Sequence, residues 1–112
     1  RRALAARYDE LLPPRIARVP PSAGAEHARH LYVVRVQDRD STRRRLEQRG
    51  VTTGVHYPTP IHLMRGYAFL GGRAGQAPVA ERLAQEVLSL PLYPELPDAD
   101  LERVAAALQQ CL

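Results

Sequence analysis

The sequence predicts an α+β fold in which a small, mostly antiparallel sheet is packed by helices. Helix-period and strand-period segments alternate along the chain, and prolines separate many of them. The length of 112 residues is enough for one domain with a real core, but not for two. Fractions of 45% hydrophobic and 25% charged residues are typical of a folded globular protein.

The first predicted helix covers residues 1–12, whose apolar side chains recur on one helical face: Leu4, Tyr8 and Leu11 or Leu12. Two prolines at 13 and 14 end it. No capping residue precedes Arg1, so we expect a helix whose beginning has been cut away. A weakly patterned connector then leads to a predicted strand over 30–36, with apolar groups on both faces. We therefore expect this strand to be covered on both sides.

A second helix is predicted to begin at Asp40 or Ser41, since either residue can cap it. It should end at Gly50, because glycine suits the position directly after a helix. Leu46 is its only large apolar residue, so its packing face would use Thr42 and arginine stems. The arginines at 43–45 are expected to be solvated. Residues 51–57 predict a weaker strand that Gly54 interrupts, and residues 65–72 a short helical turn.

The C-terminal half predicts two further helices. Pro78 suits the first turn of a helix reaching about Glu86, with Ala80, Leu83, Ala84 and Val87 on its buried side. An extended, proline-punctuated segment follows, and its first part could form a short edge strand. The last helix covers 98–112 with Asp98 as its cap. Its apolar stripe comprises Leu101, Val104, Ala105, Leu108 and Leu112, and Cys111 is expected to be buried.

Composition excludes several classes of chemistry. All sixteen basic residues are arginine, so no lysine can form a Schiff base within this chain. The single Cys111 excludes an intramolecular disulfide and a cysteine-built metal cluster, and makes a reducing cytoplasmic location the default. No apolar run approaches the roughly 20 residues that cross a bilayer. A net charge of +4 permits nucleic-acid binding, but the scattered arginines form no reading motif.

No self-contained catalytic motif is evident. The four histidines, at 27, 30, 56 and 62, lack a metal-binding spacing, and the serines lack a nucleophile-elbow pattern. The segment Gly54–Tyr67, GVHYPTPIHLMRGY, is the most unusual stretch. Its prolines at 58 and 60 stiffen the backbone, so imidazole and phenol groups would be presented at low entropic cost. Two interpretations stay open: the segment forms one side of a binding site, or it is a turn with half-buried aromatic groups.

The pattern resembles the C-terminal part of the DegT/DnrJ/StrS sugar aminotransferases. The resemblance covers nearly the whole chain, and its densest motifs are HYPTPIH (56–62) and AERLAQEVLSLPLYPEL (80–96). It implies the C-terminal small domain of a homodimeric pyridoxal phosphate (PLP) enzyme of fold type I, the aspartate aminotransferase fold. Residues 1–14 would be the end of the interdomain linking helix, and residues 15–112 the small domain.

The resemblance also implies a function. Such enzymes move an amino group from glutamate or glutamine to a keto-sugar, usually nucleotide-linked, or to a keto-cyclitol. The catalytic lysine and the cofactor contacts belong to a large N-terminal domain, so this chain alone should neither hold PLP nor transaminate. On the positions that match the motif, His56, Tyr57 and His62, with Tyr67 as a weaker candidate, would bind substrate.

Two other classes compete with this interpretation. One is a free-standing binding module whose arginine-rich face contacts acidic partners. The other is a nucleic-acid binder, which would require steep salt dependence. We expect neither nucleic acid nor a membrane as a partner.

Overall fold

A computed structural model describes residues 1–20 and 22–112 and confirms the predicted α+β class. Within these residues the regular elements are, in chain order, α1 (Arg2–Leu11), β1 (Ala17–Arg18), β2 (Tyr32–Arg35), α2 (Arg39–Gln48), α3 (Pro78–Glu86), β3 (Val87–Leu90) and α4 (Asp98–Gln110). Two short 3-10 helices, Ile61–Leu63 and Arg65–Leu70, lie between α2 and α3.

The three strands form an antiparallel sheet in the order β1-β2-β3. Tyr32 pairs with Leu90 and Val34 with Leu88, and these four side chains share one face because partners in register project to the same side. All four are buried. This face is therefore the floor of the hydrophobic core.

Helices α1, α2 and α4 cover the core face. Tyr8 of α1, Leu46 of α2, and Leu101 and Leu108 of α4 are fully buried in the same cluster as the sheet residues. The ring of Tyr8 lies 4.7 Å from that of Tyr32, and its hydroxyl donates to the carbonyl oxygen of Pro91 at 3.0 Å. The predicted stripe of α4 is confirmed except at Leu112, which is exposed.

The opposite sheet face carries Val33, Arg35, Val87 and Ser89. Val33 and Arg35 are only half-buried, so the expected cover on both sides of this strand is only partial on the second face. Arg35 donates to the Glu86 carboxylate at 2.7 Å. Helix α3 and the segment after residue 54 lie over this second face. It is the face that matters for the candidate site.

The predicted strand over 51–57 is wrong. Only one bridge forms, in which Gly54 and Ser89 exchange hydrogen bonds of 3.0 and 2.8 Å. The next hydrogen-bonded pair in that register would join Thr52 to Pro91, whose nitrogen has no hydrogen to donate. The ladder therefore cannot extend toward the start of the segment.

Two helix starts differ from the prediction. Helix α2 begins at Arg39, and Asp38 caps it by accepting from the backbone N–H of Ser41 at 3.4 Å. Asp40 instead lies inside the first turn and binds Arg39 at 2.5 Å. Helix α4 begins at Asp98 itself, after Pro97, without a side-chain cap. Asp40 and Asp98 each lie in the first turn of their helix, where a negative charge suits the positive end of the helix dipole.

Three further predictions have clear outcomes. The turn after residue 65 and the buried Cys111 are confirmed, whereas Ala80 is exposed rather than buried. Strand β1 was not predicted, because two residues inside a proline-bearing connector give no readable alternation. Among the described residues, no helix combines the length and the apolarity needed to cross a membrane.

Candidate functional site

The loop after Gly54 leaves the sheet through an anchored turn. The paired hydrogen bonds between Gly54 and Ser89 hold its start against β3. The peptide bond joining His56 to Tyr57 is cis. Beyond the two prolines, the 3-10 helix Ile61–Leu63 is closed by hydrogen bonds of 2.9 and 3.1 Å to the carbonyl oxygens of Pro60 and Ile61. The loop backbone is thus anchored at its start and closed by a 3-10 turn after the prolines.

His56 is oriented by the sheet. Its Nδ1 lies 2.9 Å from the hydroxyl oxygen of Ser89, which projects from the second sheet face. A Cβ added at Gly54 would meet the imidazole Cε1 at 2.6 Å, so the ring occupies space that only glycine leaves free. The ring also meets Tyr57 edge-on, with 5.5 Å between centroids. His56 is exposed, yet three neighbours fix where its ring lies.

His62 is oriented by α3. Its Nε2 lies 3.0 Å from Oε1 of Glu81, and both side chains are largely screened from solvent. Because an ionised carboxylate only accepts hydrogen bonds, Nε2 carries the hydrogen in this contact. The other ring nitrogen, Nδ1, is then an acceptor while the ring is neutral.

Glu81 joins three segments. Its carboxylate accepts from the backbone N–H of Gly75 at 2.9 Å and of Ala77 at 3.2 Å, besides its contact with His62. The two backbone hydrogen bonds and then the His62 contact hold the pKa of the Glu81 carboxyl below its ordinary value. An ionised Glu81 therefore ties the loop to the first turn of α3 and to the turn before it.

Close packing of Gly72 fixes the loop from another side. A Cβ added at Gly72 would lie 2.0 Å from the carbonyl oxygen of His62 and 2.9 Å from its carbonyl carbon. The backbone of His62 is therefore in direct contact with residue 72. No larger residue fits at this position without moving one of the two backbones.

A cleft of about 290 Å³ lies between the loop and α3. It is mainly apolar, and its two walls meet at Val87 on the second sheet face. From the loop it is lined by His56, Tyr57, Thr59, Pro60, Ile61 and Met64, and from α3 by Ala80, Leu83 and Ala84. It offers a site in which a few hydrogen-bonding groups stand beside an apolar surface, as in many small-molecule sites.

The four predicted site residues do not converge on one point. His56 and Tyr57 line the cleft, whereas His62 faces Glu81 and Tyr67 lies in the next 3-10 helix. Tyr57 is 68% exposed, so its hydroxyl is free to meet a ligand or another surface. The pair His56–Tyr57 is therefore the better supported part of the candidate site.

Ser89 and Glu81 are the functional neighbours that were not singled out from the sequence. Ser89 reads as an ordinary strand residue, and only the Gly54 bridge brings it under His56. Glu81 carries a weak signal, because an acidic residue in the first turn of a helix commonly accepts backbone hydrogen bonds. Its bond to His62, nineteen residues earlier, had no such signal.

A second cleft of about 540 Å³ lies elsewhere, between β1, the end of β2 and the C-terminus. Arg15, Arg35, Asp38, Arg45 and Cys111 are among its lining residues. Its charges are partly committed, since Arg35 already binds Glu86. It contains none of the predicted site residues.

The residues of this chain do not fit covalent attachment of PLP, because none of its side chains is an amine. Within the described residues, no three His, Cys, Asp or Glu side chains are grouped as a metal site would require. What the loop offers is hydrogen bonding, orientation and an apolar wall. The arrangement can bind and position a molecule whose chemistry is supplied elsewhere.

Comparison with known proteins places these features in a family. The model of the DegT/DnrJ/EryC1/StrS aminotransferase family matches residues 1–109. The chain is 49% identical over 85 residues to the erythromycin biosynthesis sensory transduction protein EryC1 of Saccharopolyspora erythraea, covering 76% of this chain and 23% of that protein. It is 42% identical over 90 residues to the dTDP-3-amino-3,4,6-trideoxy-α-D-glucose transaminase of Micromonospora megalomicea, covering 80% of this chain and 24% of the enzyme.

The fold comparison agrees. The crystal structure of DesV from S. venezuelae superimposes with a TM-score of 0.92 and 37% identity, over 97% of this chain and 30% of that one. The chain thus spans about a quarter of the length of the curated relatives it matches. Its three-stranded sheet and helices correspond to one part of a PLP-dependent aminotransferase. The chain belongs to the DegT/DnrJ/EryC1/StrS aminotransferase family.

Proposed function

We propose that this chain is the C-terminal small domain of a longer PLP-dependent sugar aminotransferase. Residues 1–14 would be the end of the helix that links it to a larger N-terminal domain, and residues 15–112 the small domain. The family match over residues 1–109, together with coverage of only about a quarter of the relatives, supports a longer protein. The proposed boundary follows the end of α1 at Leu11 and the two prolines after it. The family implies PLP as the cofactor, which the larger domain would hold.

The reaction we propose is transfer of an amino group from glutamate or glutamine to a keto-sugar linked to a nucleotide, or to a keto-cyclitol. A relative 42% identical over most of this chain is a transaminase named for a dTDP-linked amino sugar. The observation in this chain that carries the proposal is the anchored pair His56 and Tyr57 at the mouth of the apolar cleft. Such a wall suits a substrate with hydroxyl groups on one side and apolar ring carbons on the other.

Each loop residue has a role that follows from its contacts. Ser89 holds His56 through Nδ1, which leaves Nε2 for a substrate hydroxyl, carboxylate or phosphate oxygen. Tyr57 can donate its phenolic hydrogen from an exposed position. Glu81 holds His62 through Nε2, which leaves Nδ1 as the ring atom available to a ligand. Tyr67, in the 3-10 helix Arg65–Leu70, is not part of the cleft lining and has the weakest support of the four.

The isolated chain should be inactive. Transamination in this family needs a lysine, and this chain has none. We expect the complete enzyme to be a cytoplasmic homodimer that binds the amino donor and the sugar in turn. The small domain's part is then to bind and orient the sugar, not to carry the chemical step.

Reading the gene upstream of Arg1 tests the division into domains. We expect one open reading frame that continues for roughly 250 residues, the size of a large domain. It should contain a lysine next to an apolar strand. A stop codon followed by an independent start just before Arg1 would contradict the proposal.

Borohydride trapping tests the inactivity of the chain alone. The purified 112-residue chain is mixed with PLP, reduced, digested and mapped by mass spectrometry. We expect no labelled side chain, and at most weak labelling of the N-terminal amine. The complete enzyme is the matched control and should carry one labelled lysine outside this chain. A labelled side chain within residues 1–112 would contradict the argument.

A further inference from the structure

An unusual share of the exposed apolar surface lies in one short segment. Between residues 57 and 70, six large apolar side chains reach solvent, and we call this set the apolar ridge: Tyr57, Ile61, Leu63, Tyr67, Phe69 and Leu70. Phe69 is 82% exposed and Leu70 70% exposed. The other exposed large apolar residues of the described chain are Val19, Val79, Tyr93 and Leu112, which are scattered in sequence. Clustered exposure of this kind marks an interaction surface, whereas single residues do not.

The ridge is held in shape by the backbone beneath it. Gly71 ends the second 3-10 helix with a left-handed φ of 72°, and its N–H donates to the carbonyl oxygen of Ala68 at 3.0 Å. Gly72 then packs on the carbonyl of His62, and Glu81 fixes the His62 ring. The apolar side chains are thus presented outward on an anchored support. A preformed surface loses little conformational entropy when it binds.

The scarcity of charged residues on the ridge favours an apolar partner. From His56 to Gly72 the sequence contains one charged residue, Arg65, and no acidic residue. The cost of removing charges from water is therefore small on this face. The exposed face of α2, with arginines at 43, 44 and 45, is the opposite case and suits solvent.

The ridge is continuous with the candidate site. Tyr57 and Ile61 belong both to the ridge and to the lining of the cleft beside His56. A protein domain that covers the ridge would therefore also close one side of the cleft. In this chain the cleft has walls only from the loop and α3 and is open to solvent, so a substrate held there would need a further wall.

We propose that the apolar ridge is the surface on which the larger part of the aminotransferase docks, closing the cleft between the two. This inference rests on the proposed function. The occupant is chosen because about three quarters of each matched relative lies outside the segment that this chain covers. A partner of that size, in the same polypeptide, can bury a surface of this kind at high effective concentration.

Cysteine accessibility tests the proposal, because Cys111, the one native cysteine of this chain, is fully buried. Leu70→Cys and Ile61→Cys are made in the 112-residue chain and in the complete enzyme. Arg44→Cys, on the solvated face of α2, is the matched control. Each introduced thiol is labelled with a maleimide in the absence of substrate, and the labelled peptide is quantified by mass spectrometry. A thiol enclosed by a docked domain loses both access and thiolate character.

We expect Leu70→Cys and Ile61→Cys to label at least about tenfold more slowly in the complete enzyme than in the 112-residue chain. Arg44→Cys should label at the same rate in both. Equal labelling rates at positions 61 and 70 in the chain and in a complete enzyme that still transaminates would overturn the proposed docking surface. The proposed function would not be affected. Slow labelling in a complete polypeptide without transaminase activity would support the docking surface and contradict the proposed function.

A second copy of the chain is the competing occupant. In that case the 112-residue chain would sediment as a dimer, and its thiols at 61 and 70 would become slower to label as the protein concentration rises. That result would overturn the proposal. Sedimentation as a monomer, with fast labelling independent of concentration, would support it.

Discussion

Nε2 of His62 lies 3.0 Å from Oε1 of Glu81, and this contact joins the candidate binding loop to the first turn of α3. The same carboxylate accepts the backbone N–H groups of Gly75 and Ala77. One side chain thereby holds three separate segments. The position of the loop depends on an acidic residue that belongs neither to the loop nor to the cleft.

Replacing Glu81 should loosen the loop in steps. Glu81→Ala removes all three hydrogen bonds, so we expect a lower denaturation midpoint and shifted NMR signals for His62. Glu81→Gln keeps an oxygen that can accept some of them, and should fall between alanine and the parent chain. Glu95→Ala, at an exposed position, is the control and should change neither observable. Identical His62 spectra in all variants would contradict the claim that Glu81 holds the His62 ring.

The pH dependence of stability should report the same contact. The pKa of Glu81 in the folded chain lies below its ordinary value of 4.5. A lowered pKa stabilises the folded state fully above the unfolded value, and this contribution is lost as the pH falls through the folded value. The stability difference between the parent chain and Glu81→Gln should therefore be constant above about pH 5.5 and shrink below pH 4.5. Urea titrations at several pH values measure it, and a difference that grows on acidification would contradict it.

Gly72→Ala should displace the loop. The new Cβ would lie 2.0 Å from the carbonyl oxygen of His62, a contact that forces one backbone to move. Overpacking of this kind typically costs roughly 1–3 kcal/mol of folding free energy. Gly66→Ala is a matched control, because no atom lies within 4 Å of a Cβ added there. Chemical denaturation checks both variants, and equal stability would contradict the close contact.

Tyr8→Phe tests the core rather than the site. The hydroxyl of Tyr8 is buried and donates to the Pro91 carbonyl at 3.0 Å, and burial raises its pKa well above the ordinary value. Removing the hydroxyl deletes one hydrogen bond and leaves that carbonyl without this donor, so we expect a loss of about 1 kcal/mol. Tyr93→Phe, at an exposed position, should lose less than about 0.5 kcal/mol. Equal losses in urea denaturation would show that the buried hydrogen bond contributes nothing.

The parts of the fold that repeat a clear period could be predicted from the sequence. The four helices and β2 are where periodicity, prolines and Gly50 indicate, because burial of one face decides their structure. The segment at 51–57 could not be predicted correctly, since whether it forms a strand depends on its neighbour. Its partner strand β3 is followed directly by Pro91, and a sequence pattern does not reveal which segment pairs with which.

The candidate site, like the fold, could be predicted only in part from the sequence. The stiff loop and its histidines are visible in the sequence, and the motif resemblance gave them a role. The residues that orient them were not visible, because Ser89 lies 33 positions after His56, and Glu81 lies 19 after His62. Such contacts are set by how the sheet and α3 pack together. The exposure of Phe69 and Leu70 likewise becomes evident only once the core is known.

The most direct test of the central claim is the kcat/KM of the complete enzyme for a nucleotide-linked keto-sugar, with glutamate as donor, after His56→Ala. We expect kcat/KM to fall by roughly tenfold or more while the absorbance of bound PLP is unchanged, because the lost group binds sugar and not cofactor. Tyr93→Phe is the control and should leave kcat/KM unchanged. A His56→Ala enzyme with kcat/KM within about twofold of the parent would contradict the claim that this chain forms the sugar-binding wall.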